Sequence, residues 1–500
     1  MFPIPDILLD YKVALSTFLL LSSNHSSTSS VRDIVCSQIA HVTTPGTKVY
    51  YPGHNLYAEG ISHWANGSGT QESKCVVEPV SADDIGSILK VIGATRTPFA
   101  VKGSGHHTGP GFSSTKGVQI SMRQFTEVKY NKESQTVDIG PGLLFDDVYE
   151  ALEPHGVNVV GARAMGVGVP GFVIGGGYSW LSNQHGLSMD TVLSYELVKP
   201  TGEVVEVTQE SEPDLFFAIK GGGNNFGIVT RFTMRAFPQG QVWGGVIKID
   251  GSQIPLVGKA VTNFSNNIDD PKAGMDTLYT YAGGKLVVVQ LVFYDGPVPP
   301  AGIFEDMLAI PSIEKDVSTR NFWAFLQAGG PFPTESRFPT LLDRSLFHTF
   351  SLLTFSPTLS EVIKNETEFW GSHLSTKSGE VAIYAIEPFH PEIYSHNTTA
   401  TAFPSDRSVP FYPYVIWFSW TDESQDEYFY AAAKESANRI LEVAEAEGQH
   451  GVADLPLYSN PALFDTPLER IYGTHVPRLR EIKAKVDPEN VMGLAGGFKF

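Results

Sequence analysis

The stretch at residues 101–111, VKGSGHHTGPG, sets two adjacent histidines inside a glycine-rich loop. Such loops bring backbone N–H groups close to a phosphate. An imidazole placed there offers three further chemistries: a metal bond, a proton transfer, or a covalent bond to whatever the loop holds. The pattern argues against metal. Neighbouring residues of an extended loop point apart, and no third ligand accompanies His106 and His107, so no metal is expected. Glycine clusters recur at residues 161–186 (GARAMGVGVPGFVIGGGYSWLSNQHG) and 221–227 (GGGNNFG). Neither a GxxxxGK[ST] loop nor a GxGxxG turn in a strand–turn–helix context is present. One cluster alone reads as an ordinary loop. Three together suggest a long ligand carrying a pyrophosphate and touched at several backbone sites, for which a dinucleotide is the natural candidate.

The elements that must hold these loops follow from hydrophobic pattern. KCVVEPVSADDIGSILKVIGATRTPFAVKG reads strand, helix, strand, with Ser81 and Asp84 as a variant capping box, and the second strand feeds the histidine loop. GVQISM and QTVDIGPG are further strands, and FDDVYEALEPHG is a helix. SYELVKPTGEVVEVT is a hairpin turning at Thr201-Gly202. Beyond residue 240 the Gly-rich loops stop. Aromatic strands such as LVVVQLVFY, EVAIYAIEPF and YPYVIWFSW indicate a separate antiparallel sheet with helices, followed by a long helix, EYFYAAAKESANRILEVAEAEG.

At 500 residues the chain exceeds one ordinary hydrophobic core, and its 42% hydrophobic and 18% charged residues are those of a globular protein. A formal net charge of -19 would repel phosphates, so neither nucleic acid nor stable membrane insertion is expected. Near the N-terminus, YKVALSTFLLLSS resembles a signal-peptide core and is short of the roughly 20 residues of a membrane span. The preceding MFPIPDILLD carries two aspartates and no positive charge, which a signal peptide would not. The two cysteines, Cys36 and Cys75, read either as one disulfide tying the N-terminal segment down or as two buried thiols. Sequons stand at Asn24, Asn66, Asn263, Asn365 and Asn397. These features favour secretion or the secretory pathway.

PFAVKGSGHH, VDIGPG, GVGVPGFVIGGGYSWLS, HGLSMDTV, GGGNNFGIVTRF, YSN and RLREIKAKVDPENV, in that order, resemble the FAD-linked oxidases of the vanillyl-alcohol-oxidase or p-cresol-methylhydroxylase (PCMH) type, and most nearly their fungal berberine-bridge-enzyme-like branch. The resemblance covers about residues 70–238 and 455–500 and is loose between them. It implies an α+β chain: a leader at 1–35, a two-subdomain PCMH-type FAD-binding domain at 36–238, an antiparallel-sheet substrate domain with helices at 239–454, and a C-terminal segment, 455–500, completing the FAD domain.

By that resemblance the histidine loop wraps the FAD pyrophosphate and a histidine bonds the flavin 8α-methyl. The pattern of basic, small, Gly, Gly, His aligns Lys102, Gly103, Ser104, Gly105 and His106, with His107 as neighbour and Ser104 departing from the usual glycine. Gly161, Val167, Gly168, Gly171, Gly175, Gly176, Gly177, Asn225, Gly227 and Val229 would lie along the cofactor, and Asp190 near its adenine or ribose. A second, cysteinyl bond would need a thiol where Ala164 stands, so single attachment is expected, with a less oxidising flavin. Val169 or Pro170 would gate O2; Pro170 replaces a usual glycine, and oxidase and dehydrogenase both stay open.

The Tyr-x-Asn motif falls on Tyr458 and Asn460 and implies a phenol base of lowered pKa. The acid or amide that relatives place on a substrate-sheet strand is missing from YPYVIWFSW, which instead offers Tyr412, Tyr414, Trp417 and Trp420 as an aromatic pocket, or simply as core. His63, Trp64 and Trp180 are rim candidates. The function implied is hydride transfer from an alcohol, amine or C–H of a small molecule, a secondary metabolite first, to flavin N5, with O2 as acceptor. A carbohydrate oxidase of the same family, or a cyclase with a structural flavin, is the alternative.

Overall fold

The computed structural model describes residues 33–267, 269–329 and 343–500. The leader and the sequon at Asn24 lie outside them. The chain builds three main sheets. In the first, β1 (Lys48–Tyr50), β2 (Cys75–Glu78), β3 (Phe99–Lys102) and β4 (Val118–Ser121) run in the order β1-β2-β4-β3. β2 and β3 both pair with β4 in parallel, and β1 closes the edge antiparallel. Parallel neighbours need a crossover. The helix Ala82–Thr95 supplies it, and Ser81 caps it by accepting from the Asp84 N–H. Cys36 and Cys75 form a disulfide that ties the helix Ile34–Val42 to β2.

The second sheet is antiparallel. It contains β5 (Val128–Asn131) and β6 (Thr136–Ile139), then, past a two-residue β7 (Val157–Asn158), β8 (Val192–Val198), β9 (Val204–Val207) and β10 (Ile228–Arg235), ordered β5-β6-β10-β8-β9. β8 and β9 are the hairpin expected around Gly202, whose φ of 85° is a left-handed turn position. A short β11 (Phe237–Pro238) pairs with β7.

The third sheet has seven antiparallel strands: β12 (Val242–Asp250), β13 (Ala273–Ala282), β14 (Lys285–Tyr294), β15 (Glu314–Arg320), β16 (Arg344–Leu352), β17 (Gly379–Ile386) and β18 (Tyr412–Trp420), ordered β15-β12-β14-β13-β17-β18-β16. Alternation gives it two faces. Tyr279, Tyr384 and Trp420 point to the helices Pro357–Ser375 and Asp426–Ala446: the first two hydroxyls meet Ser360 and Ser436, and Trp420 stacks on Phe429. The other face carries Trp417 and Phe347, which meet the histidine loop.

This parity corrects the aromatic pocket read from β18. Residues 412, 414 and 417 cannot share one side of a regular strand. Tyr414 is fully buried and packs on Phe350 and Phe355, and Tyr412 has its parity; only Trp417 faces the loop. The last residues return to the first sheet, where Ala495 bridges Phe99, and Val491 and Met492 join its core. No helix of the described residues is long and apolar enough to cross a membrane.

Candidate active site

The loop after β3 carries His106. Lys102 donates to the carbonyls of Glu59 and Gly60 at 2.8 and 3.3 Å, so its ammonium anchors the loop base instead of facing a ligand. Burial lowers that lysine to about 8. Gly105 takes φ 77°, where a Cβ would also come within 2.9 Å of the Lys102 side chain. Ser104 needs no such conformation, which explains why a serine is accepted there. His63, a rim candidate, is instead a loop brace between the Ile61 carbonyl and Ser113.

The two histidines separate cleanly. His107 stacks on Phe112 with centroids 3.5 Å apart, and its Nδ1 accepts from the Gly109 N–H. His106 stacks on Trp64 at 5.0 Å, beside Phe347 and Trp417. Burial pulls His106 down to about 4, so its imidazole is neutral near pH 7.

The second Gly-rich run packs on the first. A Cβ on Gly103 would lie 2.5 Å from Pro170 Cγ, and one on Gly168 would lie 2.3 Å from Ser104 Oγ. Gly161 lies against Phe145 and Tyr149, and the Val167 carbonyl accepts from the Phe145 N–H. Gly175 is required by Asn460, whose Oδ1 would be 1.9 Å from a Cβ, and Gly177 by Phe172 and Ser188. Gly176 faces the Tyr458 ring. These glycines serve loop–loop approach, which motif reading assigned wholly to a ligand. Gly171 is different: nothing lies within 4 Å of its Cβ position.

Tyr458 is buried with its hydroxyl accepting from the Gly177 N–H at 3.1 Å and from Asn460 Nδ2 at 2.6 Å. Its ring meets Tyr178 edge-on. Burial raises the phenol above its usual value; the two donors and Arg163 oppose that rise, and Glu387 adds to it. The lowered phenol expected from the motif is therefore not what this environment produces.

Beside Tyr458 stands a charged cluster absent from the motif reading. Arg163 forms an ion pair with Glu387. Asp276, on β13, lies across from Glu387, one residue beyond the Thr277–Ile386 pair. Its carboxyl is held well above the usual range, first by burial and then by Glu387, against the pull of Arg163. Its Oδ1 has no hydrogen-bond partner. β18 offers no acid, but Asp276 on β13 and Glu387, one residue past β17, bring two carboxyls to the same sheet. Parity was the available signal: Glu387 follows Ile383 and Ala385, the cross-strand partners of Trp417 and Val415. Trp180 donates to the Arg163 carbonyl and packs between Phe293 and Phe325, away from the histidine loop.

Two other expectations move. Both oxygens of Asp190 bond Arg407 at 2.9 Å, Oδ2 also takes the Leu187 N–H, and the side chain is fully buried, out of reach of a ribose. The Asn225 side chain bonds the Gly222 and Phe498 carbonyls and the Phe500 N–H, so it clamps the C-terminal tail. Gly227, at φ 145°, lets β10 reach the Val198 carbonyl, and Val229 pairs with Leu197.

Comparison with known proteins agrees with this geometry. Residues 73–208 match the FAD binding domain model, and residues 458–495 match the "Berberine and berberine like" model. An FAD-dependent monooxygenase of Aspergillus calidoustus, drtC, is 30% identical over 93% of this chain and 90% of its own.

The chain belongs to the berberine-bridge-like FAD-linked oxidoreductases.

Another relative in that family, the FAD-dependent monooxygenase sdcF of Emericella nidulans, is 29% identical over 94% of this chain and 98% of its own. Among solved structures, wild-type BBE-like 1 of Physcomitrella patens superposes with a TM-score of 0.71 at 19% identity, covering 92% of this chain and 97% of that one. The carbohydrate oxidase of Microdochium nivale gives 0.73 at 17%, over 92% and 98%. These two share the fold.

The site fits FAD. Among the described residues, the backbone N–H groups of Ser104, Gly105 and His107 have no acceptor, which leaves three loop donors available to an anion. Open space adjoins Gly171 and Gly223. His106, Arg163 and Asp276 each keep part of their surface free.

Proposed function

We propose that this berberine-bridge-like enzyme carries FAD attached through His106 alone and oxidises a small aromatic or apolar alcohol of the secondary-metabolite kind. The observation that carries the reading is the Tyr458 hydroxyl, which accepts two hydrogen bonds and, among the described residues, finds no acceptor for its own proton. FAD, when bound, supplies a hydride acceptor that O2 can reoxidise. The chain supplies the rest. The neutral His106 imidazole has a lone pair free for bonding to carbon. Both possible thiol ligands are consumed in the Cys36–Cys75 disulfide, so no cysteinyl bond is available. Gly177 and Asn460 hold the Tyr458 oxygen and stabilise the phenolate that takes the substrate hydroxyl proton. Asp276, held protonated, offers a donor to a substrate oxygen, while Arg163 and Glu387 fix its place. Trp64, Phe347 and Trp417 form an aromatic wall beside His106 that excludes water.

The test is denaturing electrophoresis of the pure protein beside His106→Ala, viewed under ultraviolet light. A fluorescent band lost only in the variant is expected, followed by H2O2 release with aromatic alcohols and not with oligosaccharides. Flavin released on denaturation of the unaltered protein would discard the covalent bond. Substrate turnover without bleaching of the flavin would discard the oxidation.

A further inference from the structure

Lys499 is a cation with no place in the machinery described so far. It lies in the tail 496–500, threaded between two Gly-rich segments. On one side, a Cβ on Gly496 would lie 1.8 Å from the Gly111 carbonyl, and Phe498 sets its edge on Phe112, the ring that carries His107. On the other side, Asn224 donates to the Gly496 carbonyl and Asn225 clamps Phe498 and Phe500. The tail is therefore fixed, and its ammonium with it.

That ammonium is short of partners. Its one hydrogen bond goes to Asn224 Oδ1 at 2.8 Å. Among the described residues no carboxylate pairs with it: Asp487, whose charge it feels, is taken by Lys483 and by the N–H groups of Val491 and Met492. Lys483 repels it in addition, and burial and that repulsion pull Lys499 down to about 7. A deeply set ammonium with one neutral acceptor is costly unless an anion joins it. Yet Lys499 keeps part of its surface free, and its partner Asn224 follows Gly223, whose Cβ position is open, so an anion has room.

We propose that Lys499 is a phosphate ligand of the bound dinucleotide, facing the pyrophosphate across from the N–H cradle of Ser104, Gly105 and His107. This rests on FAD lying along the Gly-rich loops. One anion would then satisfy the cradle and the stranded ammonium together. The C-terminal tail would close over the cofactor, and a side chain of the last two residues would report whether the site is filled.

The experiment uses the full chain carrying His106→Ala, so that cofactor exchanges freely, with and without Lys499→Met or Lys499→Arg. Binding of FAD and of riboflavin, which lacks phosphate, is measured by fluorescence quenching. The proposal expects Lys499→Met to weaken FAD at least tenfold, to leave riboflavin unchanged, and to flatten the salt dependence of FAD binding, while Lys499→Arg keeps most of the affinity. Equal loss for FAD and riboflavin, or no loss for FAD, overturns it. Should Lys499→Met fail to fold, Lys499→Arg decides: affinity retained with its salt dependence supports the phosphate contact, and lost salt dependence overturns it. Failure of the His106→Ala protein to bind FAD at all would refute the cofactor placement itself, a separate outcome.

Discussion

The two walls of the site were built by different kinds of information. The cofactor wall, as proposed, draws on contiguous loops, 102–107 and 161–177, and each declares itself by composition. The proposed substrate wall draws on single residues in or just beyond separate strands: Asp276, Phe347, Glu387 and Trp417, brought to one face only by sheet order β13-β17-β18-β16. A glycine loop is local chemistry and can be read along the chain. A face of a seven-stranded sheet is long-range pairing, and no window of sequence contains it.

The largest effect should come where the walls meet. Tyr458→Phe removes only the oxygen held by Gly177 and Asn460. Turnover is expected to fall by about 10²–10⁴, the usual worth of a positioned acid–base group. FAD content and the fluorescent band should stay, because the contact made by the ring with Gly176 survives. Because burial raises this phenol, kcat/KM of the unaltered enzyme should keep rising into the alkaline range. A plateau below pH 8 would assign the proton to another group, with Glu387 first.

The charged cluster sharpens that test. Arg163 has two carboxyls within reach and needs one. In Glu387→Gln, Asp276 can ionise in its place, so the stability loss should be modest. In Glu387→Gln with Asp276→Asn, the guanidinium is stranded, and the cost should approach about 3–5 kcal/mol. Asp276→Asn alone should act with the opposite sign. A carboxyl whose folded pKa lies above 3.8 binds its proton more tightly in the folded state, so stability is full at low pH and is lost as pH rises through the folded value. Removing it should make the protein more stable near pH 8 and leave it unchanged near pH 4. Denaturant titrations at the two pH values check the order. An additive double variant would mean that the carboxyls do not share the arginine.

Much of the fold was legible. The Ser81 cap, the Gly202 hairpin and the helix Asp426–Ala446 all rest on local rules that the packing obeys. Two kinds of residue were misread. Tyr412 and Tyr414 were grouped with Trp417 by composition, against the two-residue period of a strand. Asp190 and Asn225 were placed along the cofactor from their motifs, whereas their side chains bond Arg407 and the tail.

The glycines allow the finest distinction, because identical residues in one run do unlike work. At Gly175 an alanine Cβ would meet Asn460 Oδ1 at 1.9 Å, and Asn460 is the donor that holds Tyr458. Overpacking of this kind costs about 1–3 kcal/mol, and here it should also lower turnover by displacing that donor. At Gly171, in the helix Val169–Ile174, the Cβ position is open, so alanine should stabilise the folded chain by up to ~1 kcal/mol through helix propensity. The informative reading is FAD occupancy in the same variant. If occupancy falls while stability rises, the open space at Gly171 is where the cofactor passes, and this glycine is kept for the ligand. If both rise together, neither the chain nor the ligand needs a glycine at 171, unlike Gly103, Gly168 and Gly175, and the cofactor wall is narrower than its glycine content suggests.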